Sequence, residues 1–335
     1  MNSSFKQKIV KNILPMGLLC WICLGMVSCI EVIEVPDDFY TDNIILNSIV
    51  EPDSTVMINI SRSLPPAGVI EFEFVSDADV RISEVGNEQE VVCQYHENGW
   101  YTSSDLVVEA DRDYEISVGI IDKPELTSTT RIPGKPIVEN VFIQYDSIYF
   151  SIVDDPTILQ YYLVTLLGYH HTYDIDHLPD GTQEEVWKYE YRALRMESDD
   201  ASIDAFLYNR VGRVNNATGL NFTDSFWDIV PDYTGDSFII SDQTFQGETK
   251  EFLMQITERG LWFIDSIRTV DLQIHSIDYN YYQYLLTFAQ YWTTDETPFT
   301  ERARVYNNIE GGFGIFGSKN GIKVELTLPE NLLNY

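Results

Sequence analysis

Cysteine is scarce in this 335-residue chain, which has only four, at positions 20, 23, 29 and 93. Basic residues are few as well: 21 Lys and Arg stand against 53 Asp and Glu, a formal net charge of −32. So acidic a surface repels phosphate backbones and anionic headgroups, which excludes nucleic acid and anionic lipid as partners. Histidine occurs five times. The one long apolar run, Ile13 to Val27, is 15 residues, short of the roughly 20 that a membrane-spanning helix needs. No Gly-x-Ser-x-Gly elbow occurs, and no Gly-rich loop ends in Lys-Ser or Lys-Thr, so acyl transfer on a nucleophile elbow and P-loop phosphate binding have no sequence support.

What is present begins at the N-terminus. Lys6, Lys8 and Lys11 form a basic start, the apolar run follows, and Gly25-Met26-Val27-Ser28-Cys29 closes it. A small residue just before a cysteine is the mark of a lipoprotein-type export signal. Cys20 and Cys23 are poorer candidates, because bulky Leu19 and Ile22 precede them. The expectation is a signal peptide over 1–28 and lipid on Cys29. One acyl chain binds a membrane only marginally, whereas several hold firmly. Cleavage removes Cys20 and Cys23 and commits Cys29 to lipid, leaving Cys93 alone, so no intramolecular disulfide can form. Cys93 sits in the alternating run Val91-Val92-Cys93-Gln94-Tyr95 and is expected to be a buried structural thiol. The mature chain loses three lysines, which leaves 18 basic against 53 acidic residues and a net charge of −35. Residues 29–40, with Ile30-Glu31-Val32-Ile33-Glu34-Val35-Pro36-Asp37-Asp38, read as an acidic tether.

The body reads as β. Asn43 to Val50 is a β-branched stretch, Glu51-Pro52-Asp53-Ser54 a turn, and Val56, Ile58 and Ile60 alternate with Met57, Asn59 and Ser61. That is a hairpin with one buried face. Val80 and Ile82, then Val91 to Tyr95, then Tyr114, Ile116, Val118 and Ile120 continue the pattern at sandwich spacing. The rhythm of Asn98-Gly99-Trp100-Tyr101 and Asp113-Tyr114-Glu115-Ile116 resembles transthyretin-like or carboxypeptidase-regulatory-like sandwiches. A β-sandwich domain is therefore expected over 41–132. Arg131-Ile132-Pro133-Gly134-Lys135-Pro136 reads as a linker. A second β-rich domain is expected over 137–335, with strands at Ser147–Val153, Gln160–Leu167, Ser237–Ile240 and Glu251–Thr257. In Trp187-Lys188-Tyr189-Glu190-Tyr191-Arg192 aromatics alternate with charges at period two. One segment breaks the pattern: Ile277, Tyr281, Tyr284, Leu285, Phe288 and Trp292 share a helical face. Ser276 or Asp278 is positioned to cap that helix.

His170, His171, Asp174, Asp176 and His177 are the densest group of metal-ligand types. No cysteine joins them, adjacent histidines on a strand face opposite ways, and the segment reads as a loop, so no metal is expected. Asp174 to Gly181 has Leu178 where a calcium ligand belongs and its glycine two positions late. Glu310-Gly311-Gly312-Phe313-Gly314-Ile315-Phe316-Gly317 is expected to be a strand or bend with close backbone packing. No catalytic, cofactor-binding or metal residue is assigned, and no cofactor is expected.

The C-terminal string Val305-Tyr306-Asn307-Asn308-Ile309-Glu310-Gly311-Gly312-Phe313-Gly314-Ile315-Phe316-Gly317 resembles a Bacteroidetes lipoprotein family catalogued as domain of unknown function 4249. Thr297-Pro298-Phe299, Ile240-Ser241-Asp242-Gln243-Thr244-Phe245-Gln246-Gly247, the Tyr281–Leu286 helix and the Ile44–Ser61 hairpin add to the likeness. The acidic tether similarly resembles signals that send such lipoproteins to the outer cell surface. The resemblance implies a lipid-anchored outer-membrane protein facing the exterior, with genes that neighbour TonB-dependent receptors. It carries no catalytic residues with it. The expectation is a non-enzymatic binding or accessory subunit of a TonB-dependent transport system. The alternatives are a surface adhesin or structural protein, and then a hydrolase.

Overall fold

The computed structural model describes residues 42–63, 73–87, 89–103, 105–177, 183–207, 237–257, 269–294 and 303–329. Cys29 and the segments expected to be a signal peptide, 1–28, and an acidic tether, 29–40, lie outside them. The described chain is mainly β. In order the strands are β1 Ile44–Val50, β2 Val56–Arg62, β3 Asp79–Glu84, β4 Val91–Tyr95, β5 Trp100–Ser103, β6 Asp113–Gly119, β7 Leu126–Arg131, β8 Ile137–Gln144, β9 Ser147–Val153, β10 Tyr161–His177, β11 Gln183–Ala193, β12 Met196–Glu197, β13 Ile203–Leu207, β14 Ser237–Ser241, β15 Thr249–Ile256, β16 Thr269–Ile277 and β17 Phe313–Thr327. The α-helix α1, Tyr279–Thr294, lies between β16 and β17.

Thirteen strands form one sheet: twelve follow the order β13-β14-β10-β16-β17-β1-β2-β5-β4-β3-β6-β7 and β11 pairs with β10 beside them; β12-β15-β9-β8 form a second sheet. One core lies around β1 to β7, from Leu46, Ile58, Ile60, Val80, Ile116 and Val118. A second brings Phe150, Phe252 and Met254 of the four-stranded sheet onto Val164, Leu272 and Ile274 of the larger one. A third packs α1, through Tyr281, Tyr282 and Leu285, on Tyr161, Leu163, Ile239 and Ile277.

Period-two patterning explains most of these elements. In β6, Tyr114, Ile116 and Val118 are buried and Asp113 and Glu115 exposed. The β1–β2 hairpin forms in register Leu46 to Ile60, but its second face is not solvent. Asn59 and Ser61 are buried along with Ile58 and Ile60, because the Asn98 carbonyl and neighbouring strands cover them. Asn59 Nδ2 donates to Asn98 O at 3.1 Å. Cys93 is buried on β4, and burial pushes its thiol up to about 11, the behaviour of an inert structural thiol.

Three expectations change in detail. The helix begins after Asp278, and Ile277 closes β16 instead of opening the helix. The segment 170–177 is strand, not loop, because it pairs residue for residue with β11, from Leu167 with Ala193 to His177 with Gln183. The division of the chain at 133–136 is not a division of the sheet. β17 runs parallel to β1 through Phe313–Ser318 and antiparallel to β16 through Lys319–Thr327. Ile309 and Phe316 thereby join the core around β1 to β7. The glycine string makes this crossing possible. Gly314, at φ +120°, passes so near β1 that a Cβ would collide with the Leu46 carbonyl.

Candidate functional site

The most heavily satisfied polar group lies where β7, β17 and α1 meet. The Asp278 carboxylate is buried, and four donors surround it: the backbone N–H groups of Ser318 at 2.9 Å, Tyr281 at 3.1 Å and Asn280 at 3.2 Å, and the Thr130 hydroxyl at 3.1 Å. Two of these are orphan donors of the first helical turn, which a side-chain oxygen before the helix normally accepts. Burial pushes this carboxyl up to about 6 even so, against the pull of its donors. Gly317 permits the approach, since a Cβ there would sit 2.9 Å from Tyr281 Cβ and 3.2 Å from Asp278 Oδ1.

Neighbouring amides extend the knot. Asn280 Nδ2 donates to Thr129 O at 3.1 Å, and Tyr306 donates its hydroxyl to Asn280 Oδ1 at 3.0 Å. Asn308 stands in for a strand partner, donating to Phe316 O at 2.8 Å and accepting from Phe316 N–H at 3.0 Å. Ser128 Oγ donates to Asn308 O, and Ser318 Oγ donates to Arg131 O. These contacts cover β7, the last strand at one end of the thirteen-stranded sheet, much as natural sheets cover exposed edges.

Two clefts flank the knot and share Thr129 and Asn280 in their walls. The first, about 600 Å³, is polar, with Ser83, Ser117, Thr127, Glu115, Glu125 and Glu310 in its walls. Arg81 in that cleft is held by Asp79 at 2.8 Å and Glu90 at 3.0 Å. The second, about 630 Å³, is largely apolar. Ile158, Leu159, Tyr161 and Tyr279 wall it, Asp111, Asp113 and Arg131 bring charge, and Ser276 lies beneath. Its size and balance are those of small-molecule sites generally.

A second buried acid group joins the loops after β9 and β14. Asp154 accepts from Gly247 N–H at 2.7 Å and from the Tyr162 hydroxyl at 3.0 Å, and Asp242 accepts from Gln160 N–H at 2.7 Å. Burial first, and then the Asp154 carboxylate beside it, push Asp242 up to about 6. Burial and Asp154 likewise raise the Tyr162 hydroxyl. Asp242 therefore takes up a proton in weakly acidic solution more readily than an exposed carboxyl does.

Of the residues singled out from sequence, Cys29 lies outside the described residues. His170, His171, Asp174, Asp176 and His177 are all on β10, facing Glu190, Tyr189, Val186, Glu184 and Gln183 across the β10–β11 pair. Among the described residues no group of three or more His, Cys, Asp or Glu is gathered to hold a metal. Asp278 was legible as a cap from its place before an apolar helical stripe. Asp242 and Gly247 were legible only as members of a family string, Ser276 was read as the alternative cap and instead lies in β16, and Asp111 carried no local signal.

No curated protein matches the chain. Among solved structures, the FN1–FN3 domains of chicken CNTN1 align over 84% of this chain and 63% of that one, at 9% identity and a TM-score of 0.18. This chain thus spans less than two thirds of that structure's length, and so loose a superposition carries no shared arrangement. One family, described as "Domain of unknown function (DUF4249)", matches residues 30–321.

Proposed function

We propose that this chain, which belongs to the DUF4249 family, is an outer-membrane lipoprotein held by lipid on Cys29 and facing the exterior. It serves as a non-enzymatic binding or accessory subunit of a TonB-dependent transport system. The observation that carries the reading is the order of its parts: a basic start, a short apolar run, Ser28-Cys29, an acidic tether, then a β body. Two clefts in that body, one polar and one apolar, support a binding role. Its net negative charge suits a protein that stands off an anionic membrane surface while tied to it by acyl chains.

Two measurements test it. Labelled palmitate is incorporated by the natural chain and not by Cys29→Ala; incorporation by the variant assigns the lipid elsewhere. Affinity purification from native outer membrane with crosslinking recovers a receptor barrel, and its consistent absence removes the transport reading. Deletion cells that lose attachment while keeping nutrient uptake would instead favour the adhesin.

A further inference from the structure

We infer that the apolar cleft beside α1 is a binding site for a small organic cation with an apolar body. The first support is aromatic. Tyr279 is 55% exposed at the start of α1, and its ring is tilted 52° to that of Tyr161 with centroids 5.9 Å apart. Tyr161 is stacked on Tyr282 at 4.1 Å and 24°, so its ring is held in place. Aromatic faces attract ammonium groups within about 6 Å, and quaternary ammonium ions are favoured guests of such walls.

The second support is charge. The Arg131 guanidinium is already engaged, its Nη1 lying 3.2 Å from each oxygen of Asp113. Asp111 stands at the same cleft, and none of the ion pairs among the described residues uses its carboxylate. Its position is fixed from the backbone, since its N–H donates to Ile132 O at 2.8 Å. An incoming cation therefore meets a carboxylate outside any of those ion pairs, whereas the one cationic side chain in the cleft's lining, Arg131, is already paired with Asp113. The third support is shape and polarity. Ile158 and Leu159 are 51% and 43% exposed, apolar surface that a ligand body would remove from water. Beneath them the Ser276 hydroxyl is buried and has no hydrogen-bond partner, a group that a ligand or its water would satisfy.

The site does not depend on the anchor or on a transport partner. Its test uses the whole mature protein and three probes with a common ring: benzyltrimethylammonium, benzyl alcohol and phenylacetate. Titration followed by tyrosine fluorescence and calorimetry is expected to show saturable binding of the cation, about tenfold tighter than the alcohol and with no binding of the acid. Tyr279→Ala and Asp111→Asn are each expected to weaken the cation about three- to tenfold, and Tyr279→Phe to retain it. Asp111 is at φ +63°, a conformation that Asn tolerates, so D111N removes the charge without changing the backbone. Equal binding of cation and alcohol, absence of saturable cation binding, or cation selectivity that survives both Y279A and D111N would each overturn the assignment.

Discussion

The neighbourhoods of Asp278 and Asp242 bury a carboxyl group in opposite ways. Both carboxyls are pushed up to about 6 by burial. Around Asp278 every partner is a donor, drawn from β7, α1 and the middle of β17, so the group ties together three elements far apart in sequence. Around Asp242 the nearest charged partner is another acid, Asp154, whose carboxylate adds to the effect of burial, and one oxygen of Asp242 has no hydrogen-bond partner. The same desolvation is thus opposed by converging donors in one place and compounded by a neighbouring carboxylate in the other. Both acids respond to pH in weakly acidic solution, and the one surrounded by donors is in addition a structural joint.

The contrast is broken most severely by Asp278→Ala. It leaves three backbone N–H groups and the Thr130 hydroxyl without their acceptor, and a loss of about 3–5 kcal/mol is expected. Urea unfolding should show this as a lower midpoint at an unchanged slope. A loss under about 1 kcal/mol would mean that water replaces the carboxylate freely. Gly317→Ala disturbs the same joint without removing a hydrogen-bonding group. Its Cβ must displace Tyr281 or Asp278, with an expected loss of about 1–3 kcal/mol.

Asp242→Asn probes the other side. Below about pH 4 the group is protonated in both folded and unfolded chains and contributes nothing. As pH rises toward 6, the unfolded chain gives up a proton that the native pair retains, so native stability falls and the loss is complete above the folded value. Asn in place of Asp242 accepts from Gln160 N–H and donates to Asp154 at every pH. The variant should lose Asp242's share of the decline between about pH 4 and 6.5 and gain on the order of 1 kcal/mol at pH 8. Thermal unfolding across that range measures it, and an unchanged slope would show that folding does not raise the Asp242 carboxyl. The smallest expected effect is that of Asp111→Asn, within about 0.5 kcal/mol of the natural chain, because the side chain is exposed and outside both joints. A larger loss would show that Asp111 has a structural role.

Much of the fold was legible because period two and period 3.6 are local signals. Tyr114-Glu115-Ile116-Ser117-Val118 says which side of β6 is buried, and the stripe through Tyr281, Leu285 and Phe288 says that a helix interrupts the strands. The signal failed where both faces are covered, as at Asn59 and Ser61, and where polar residues extend a strand, as at His170 to His177. A pattern also states which face is buried and not which strand lies beside it. That is why β17 was placed wholly in the second domain. Its parallel pairing with β1 joins residues some 270 positions apart, such as Ile45 and Phe313. The clefts were illegible for the same reason, since Asp111, Ile158 and the Ser276–Tyr279 junction converge from three separate segments.

The sequence by itself determined a mainly β chain with one helix, a thiol at Cys93 within a strand-like run and a strongly acidic chain, because periodicity and charge are properties of the string. Tertiary structure alone decided that one strand serves two cores, that Asp278 is a joint while Asp242 is one half of an acid pair, and that two tyrosines and a free aspartate face one cavity. Each of these depends on which distant groups share a dry volume. The burial that raises a carboxyl and the donors that hold it are set by packing, not by neighbours in sequence.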